Sequence, residues 1–191
     1  CDYIFLTVKP NVYQTVLEEI APFVGDKCLI DVAAGITTDY VKSVLGFDAK
    51  VVRVMPNTPL LVGRGASALV HKPPVTDEEF QTVFDGFCSA GYAAKVEEEH
   101  INAVTALSGS APAYFFRLAS LAVEFAKGQG MDAQTALELF AKTMEGSAKM
   151  LLESGDTPGQ LVKKVSSPGG TTVAALEKFD ALNLDEAFLE G

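Results

Sequence analysis

A change of rhythm near residue 97 constrains this chain more than any other feature. Before it, short apolar runs alternate with helical stripes. The runs cover residues 3–8, 28–31, 50–55, 65–70 and 92–96. Between the first two, Val12, Val16, Leu17 and Ile20 recur at helical spacing. Residues 38–45 form a second helical stretch, and Thr76-Asp77-Glu78-Glu79 opens a third with a capping box. This β-α-β-α-β order implies a doubly wound parallel sheet with right-handed crossovers. The first run is apolar from Tyr3 to Val8 except at Thr7, as suits a strand buried on both faces. Such a strand needs neighbours on both sides, so further strands are expected ahead of Cys1.

After Glu97-Glu98-Glu99 no strand pattern returns. Residues 101–107, 113–127, 133–153, 159–165 and 172–179 all read as helices. Asp132 is placed to cap one, and Thr157-Pro158 supplies an N-cap with proline at the first helical position. The expected organisation is an α/β domain over residues 1–97 followed by an all-α domain over residues 98–191. The helix beginning near Ala113 is apolar around nearly its whole circumference, with Tyr114, Phe115, Phe116, Leu118, Leu121 and Phe125. A helix of that kind must be covered on every side, and a second copy of the chain is the expected cover.

Composition narrows the function. Of 191 residues, 48% are hydrophobic and 21% charged, which excludes wholesale disorder. The formal charge is −10, from 15 basic and 25 acidic residues. That argues against a nucleic-acid partner, whose phosphates are held mainly by Lys and Arg. It says nothing against a local anion site built from backbone amides. Cys1, Cys28 and Cys88 are scattered without a CxxC, and His71 and His100 stand at no zinc-ligand spacing. No metal site and a reduced, cytoplasmic setting are expected. Arg117 and Glu124 interrupt the most apolar long stretch, so no membrane span is expected. His71 reads as a surface residue, Cys88 as buried packing, and the triple glutamate as a solvated helix start.

The candidate chemistry lies in loops. Ser166-Ser167-Pro168-Gly169-Gly170-Thr171-Thr172 combines hydroxyls and glycines ahead of a helix. It suits a carboxylate held by hydroxyls and first-turn amides, and equally an ordinary capped turn. Leu107-Ser108-Gly109-Ser110 also precedes a helix. Lys9-Pro10, Ala33-Ala34-Gly35 and Met55-Pro56-Asn57-Thr58-Pro59 each follow a strand, where ligands of open α/β sheets gather. No GxGxxG and no P-loop is present in these residues.

Taken in order, Lys9-Pro10, Met55-Pro56-Asn57-Thr58-Pro59, Leu107-Ser108-Gly109-Ser110 and Ser166 to Thr172 resemble the pyrroline-5-carboxylate reductases. Ala148-Lys149-Met150-Leu151-Leu152 and Pro158-Gly159-Gln160-Leu161 resemble them too. Ala111 departs from that pattern, which commonly has glycine there. The resemblance implies a Rossmann domain, here without its GxGxxG part, followed by a helical dimerisation domain. It implies reduction of 1-pyrroline-5-carboxylate to L-proline by NADPH or NADH, the last step of proline biosynthesis. The partners implied are the small-molecule substrate and a second copy of the chain, in a homodimer or a higher homo-oligomer. By the same resemblance, Ser167, Gly169, Gly170 and Thr171 hold the substrate carboxylate. Thr172 faces the ring nitrogen as the catalytic residue. Val8, Lys9, Ala33, Ala34, Pro56 and Asn57 meet the nicotinamide end of the cofactor. Two other readings stay open: a hydroxy-acid reductase of similar architecture using Lys149 as its acid, and an inert scaffold that only dimerises.

Overall fold

A computed structural model describes residues 1–191, which pack as two units, Cys1–Leu118 and Ala119–Gly191. In the first unit five strands form one sheet in the order β1 (Tyr3–Leu6), β2 (Cys28–Asp31), β3 (Lys50–Met55), β4 (Gly65–Val70) and β5 (Gly91–Lys95). Helices α1 (Tyr13–Val24) and α2 (Thr38–Leu45) carry the chain between β1, β2 and β3, which are parallel. Strand β4 instead runs antiparallel to β3. The stretch between them, residues 56–64, holds only a 3-10 turn, too short for a parallel crossover. The doubly wound sheet expected from the rhythm is present and mostly parallel, with one antiparallel pair.

That reversal places the third helix. Helix α3 (Asp77–Cys88) links β4 to the parallel β5. A right-handed crossover between reversed strands, still advancing in the same direction, puts its helix on the opposite face of the sheet. Two buried clusters follow. Leu17, Leu29, Val41 and Val51 pack beneath α1 and α2, while Ile30, Val52, Leu69 and Phe80 pack beneath α3. Alternate residues of β2 and β3 therefore serve opposite faces, and both strands are almost wholly buried. Strand β1 is an edge strand, and Phe5 is 57% exposed. An apolar hollow of about 310 Å³ lies against Phe5, Tyr3, Ile30 and Phe87.

Glycine is required where β4 and β5 begin. A Cβ on Gly91, at φ +149°, would lie 2.2 Å from the Gly65 carbonyl oxygen. The capping box at the start of α3 is formed: the Glu79 amide donates to Thr76 Oγ1, and the Thr76 amide to Glu79 Oε2. Two smaller expectations are corrected. Cys88, at the last turn of α3, is exposed, and the buried thiol is that of Cys28. Burial, helped by the charge of Glu79, pushes the Cys28 thiol up to about 11, so it stays protonated and inert. His71 is packed rather than superficial, stacked on Phe80 with ring centroids 4.5 Å apart.

Helix α4 (Ile101–Val104) runs into one turn of π-helix over Thr105–Gly109 and then into α5 (Ala111–Gly128). The second unit holds the rest of α5, then α6 (Ala133–Glu153), α7 (Pro158–Val165), α8 (Thr171–Ala181) and α9 (Leu184–Glu190). Asp132 caps α6 through the Thr135 amide at 2.9 Å. Thr157 and Gln160 form a capping box on α7, with Pro158 at its first position. Of the two long helices, only Ala119 and Ala136 in this unit are buried. No helix is long and apolar enough to cross a membrane.

Candidate functional site

The candidate residues fall into two groups, one in each unit. In the first, the parallel register aligns the ends of three strands: Leu6 pairs with Asp31, and Asp31 with Arg53. Val8 and Lys9, Ala33 and Ala34, and Pro56 and Asn57 therefore leave neighbouring strands along one edge of the sheet. Lys9 and Ala34 are exposed, Val8, Pro56 and Asn57 are half-buried, and Ala33 is buried. Small or flat apolar groups dominate this ledge. The side chain of Asn57 is occupied at both ends: Nδ2 donates to the Ser108 carbonyl at 3.2 Å, and Oδ1 accepts the Ala66 amide at 2.9 Å. It ties the β3 exit to β4 and to the π-helical turn. Gly109 in that turn sits where a Cβ would lie 3.3 Å from Met55 Sδ.

Below the ledge runs a buried polar chain that the sequence reading missed. Asp31 is fully buried, and its Oδ1 accepts the Ala33 amide at 2.9 Å and a hydrogen bond from the Tyr13 hydroxyl. The Tyr13 oxygen also lies 3.2 Å from the Leu6 carbonyl. Burial raises the Asp31 carboxyl above its usual range, against the lowering pull of Tyr13, Ala33 and Arg53. Burial likewise raises the Tyr13 hydroxyl, and its bond to Asp31 adds to the effect.

Glu98 ends the polar chain. The expected solvated helix start is corrected here, since the Glu98 side chain is only 12% exposed. Its Oε1 accepts the Thr38 amide at 2.9 Å and Arg53 Nη1 at 3.1 Å. Its Oε2 accepts Thr38 Oγ1 at 2.7 Å and Lys72 Nζ at 2.5 Å. Burial alone would raise this carboxyl, but the Lys72 and Thr38 hydrogen bonds outweigh it and hold it at about 2. These partners come from α2, β3 and the segment after β4, so no local pattern marks Glu98. The only signal was one acid among three at the change of rhythm.

In the second unit, residues 166–172 form a defined turn. Pro168 is followed by Gly169 at φ +71°, and the Gly170 amide donates to the Ser167 carbonyl at 2.9 Å. This is the proline-then-glycine order of a type II turn. A Cβ on Gly170 would lie 2.9 Å from the same Ser167 oxygen. The first bond from the turn into α8 runs from the Ala174 amide to the Gly170 carbonyl. The amides of Thr171, Thr172 and Val173 precede it, at the positive end of the helix dipole. Ser167, Gly169 and Thr171 are exposed, and Gly170 and Thr172 half-buried. Ser166 differs: its hydroxyl donates to the Val162 carbonyl at 2.7 Å and so closes α7. Lys149 is 70% exposed and pairs weakly with Glu153 at 3.9 Å. No group of acidic, His or Cys side chains could hold a metal.

Comparison with known proteins decides the family. The chain is 38% identical over 190 residues to the pyrroline-5-carboxylate reductase of Escherichia coli K12, covering 99% of this chain and 71% of that protein. The chain belongs to the pyrroline-5-carboxylate reductase family. Its relative from Methanosarcina acetivorans is 35% identical and shares 98% of this chain and 70% of its own. The family profile described as pyrroline-5-carboxylate reductase dimerisation matches residues 98–191. Among solved structures, the Plasmodium falciparum reductase with NADP bound superimposes with a TM-score of 0.95 at 29% identity, covering all of this chain and 72% of that one. The Coxiella burnetii reductase gives 0.87 at 34% identity, with the same coverage. Membership fixes the architecture as a Rossmann-type sheet followed by a helical dimerisation region, and the chain as a homo-oligomer through that region.

Proposed function

We propose that this chain reduces 1-pyrroline-5-carboxylate to L-proline with NADPH or NADH in the cytoplasm. The observation that carries the reading is 38% identity to a pyrroline-5-carboxylate reductase along 99% of the chain. The ledge of Val8, Lys9, Ala33, Ala34, Pro56 and Asn57 suits the nicotinamide end. Its small and apolar side chains leave a flat surface at the carboxyl ends of three parallel strands, where such sheets take their ligands. When bound, the reduced nicotinamide supplies the hydride that adds to the C=N carbon. We assign the functional boundary to residues 97 and 98, where the dimerisation profile begins.

The chain's own residues bind and orient the substrate. Ser167, Gly169, Thr171 and Thr172 surround the carboxylate at the start of α8, with hydroxyls and first-turn amides as donors. Gly170 contributes shape, since its amide is used within the turn. Thr172 is the catalytic residue: its hydroxyl meets the ring nitrogen and holds the C=N bond in place while a proton reaches that nitrogen. Hydride addition to carbon and protonation of nitrogen together give the amine. With the imine protonated, little acid–base machinery is needed, and positioning supplies most of the acceleration. The exposed Lys149 offers no support to a hydroxy-acid reductase. The test is pyrroline-5-carboxylate-dependent oxidation of NADPH or NADH by the purified full-length protein, with proline identified as product. Turnover of hydroxy acids instead, or of neither, would refute the assignment.

A further inference from the structure

We infer that the buried Tyr13–Asp31 pair positions the nicotinamide-binding ledge, an inference that rests on the reductase function proposed above. Asp31 is the last residue of β2 and Leu6 the last of β1. By accepting the Ala33 amide two residues on, the Asp31 carboxylate bends the chain out of β2 in an Asx turn. The same oxygen receives the Tyr13 hydroxyl, which also reaches the Leu6 carbonyl from α1. One phenol and one carboxylate thus hold the exits of both strands. Those exits carry Val8, Lys9, Ala33 and Ala34.

The choice of aspartate is costly for a structural tie. Asp31 and Tyr13 are 0% and 1% exposed, and Asp31 Oδ2 has no hydrogen-bond partner. Burying an ionisable group with one unsatisfied oxygen works against stability. A neutral acceptor could make the same turn. Arg53 stands beside Asp31 in the parallel register, two residues before Met55, and lowers its carboxyl. Its own hydrogen bond goes from Nη1 to Glu98 Oε1 at 3.1 Å. Tyr13 and Asp31 therefore hold the first two ledge segments, while the third is tied by Asn57 to Ala66 and Ser108. Neither Tyr13 nor Asp31 reaches the ledge surface, so both are positioning residues rather than catalytic ones.

Three variants test this in the full protein: Tyr13→Phe, Asp31→Ala and Asp31→Asn. Asparagine retains an acceptor for Ala33 and Tyr13 and discards the charge. Tyr13→Phe and Asp31→Ala should lower kcat/KM for the nicotinamide cofactor about tenfold, the loss expected from one hydrogen bond to a charged group. The KM for pyrroline-5-carboxylate should stay within about twofold, and Asp31→Asn should restore cofactor kinetics. Hydrogen exchange at the Ala33 amide should quicken at least about tenfold in the first two variants and return in the third. This readout needs neither substrate nor cofactor. If Asp31→Ala does not fold, Tyr13→Phe alone carries the comparison. Unchanged Ala33 exchange, equal rises in both KM values, or no rescue by asparagine would overturn the inference. Inactivity of the unaltered protein would instead overturn the function, and with it the cofactor role of the pair.

Discussion

Glu98 shows how much one side chain can carry. It joins the first turn of α2, the end of β3 and Lys72 through four hydrogen bonds. Its carboxyl is held near 2 instead of 4.5, so the folded state binds its proton less readily than the unfolded chain does. Stability from this group is therefore full above pH 4.5 and is lost as pH falls towards 2. Glu98→Gln should cost about 2–3 kcal/mol at neutral pH, with the gap closing below pH 4.5, as denaturant melts across pH would measure. The sequence could not reveal this, because Thr38, Arg53 and Lys72 are distant along the chain. At Thr172 the balance differs, since a whole motif, not one residue type, marked the position. Thr172→Ala should reduce kcat at least about tenfold by removing the hydroxyl proposed to meet the ring nitrogen. Ser166→Ala should change it less than about twofold, because that hydroxyl is engaged with Val162. Steady-state kinetics of the two variants would check the contrast.

Among elements, those governed by local rules were legible. The capping box at Thr76 and the caps at Thr157 and Asp132 were readable because cap and partner lie three residues apart. The direction of β4 was less evident, since it follows from a missing helix between β3 and β4. Helix α9 carried no recognised signal; it begins after Asn183, which adopts a left-handed conformation with no side-chain cap. The turn before α8 is where local geometry bears on the proposed carboxylate site. With a Cβ 2.9 Å from the Ser167 oxygen, Gly170→Ala must open the turn and shift the first amides of α8. The KM for pyrroline-5-carboxylate should rise about tenfold or more, while the melting temperature changes little because the turn is largely exposed. Thr157→Ala, one helix earlier, should do the opposite. It should cost about 1 kcal/mol of stability through loss of its cap and leave KM unchanged. Paired melting and kinetic measurements separate the two effects.

For the whole molecule, the helical unit is incomplete as a single copy. Within it Phe125 of α5 and Leu139 of α6 are 70% and 58% exposed, and Phe116 and Leu118, on the part of α5 that belongs to the first unit, are 64% and 51% exposed. Phe179, Leu182 and Phe188, on α8, α9 and the bend between them, are also exposed. Monomeric proteins rarely leave so many large apolar side chains exposed, which is what a dimerisation region should show before its partner is added. The apolar girdle of α5 was legible in the sequence because it contradicts ordinary amphipathic patterning. Burying a phenylalanine contributes roughly 2–3 kcal/mol, so a charge in its place removes that gain and adds the cost of desolvating a carboxylate. Phe125→Glu should therefore shift the protein to monomers at micromolar concentration, lower its melting temperature and abolish turnover. Phe23→Glu, at an equally exposed site on α1, should leave the oligomer intact. Light scattering on both variants provides the comparison, and the unaltered protein should melt at higher temperature as its concentration rises. Monomeric but fully active Phe125→Glu protein would show that α5 is dispensable for assembly-dependent catalysis.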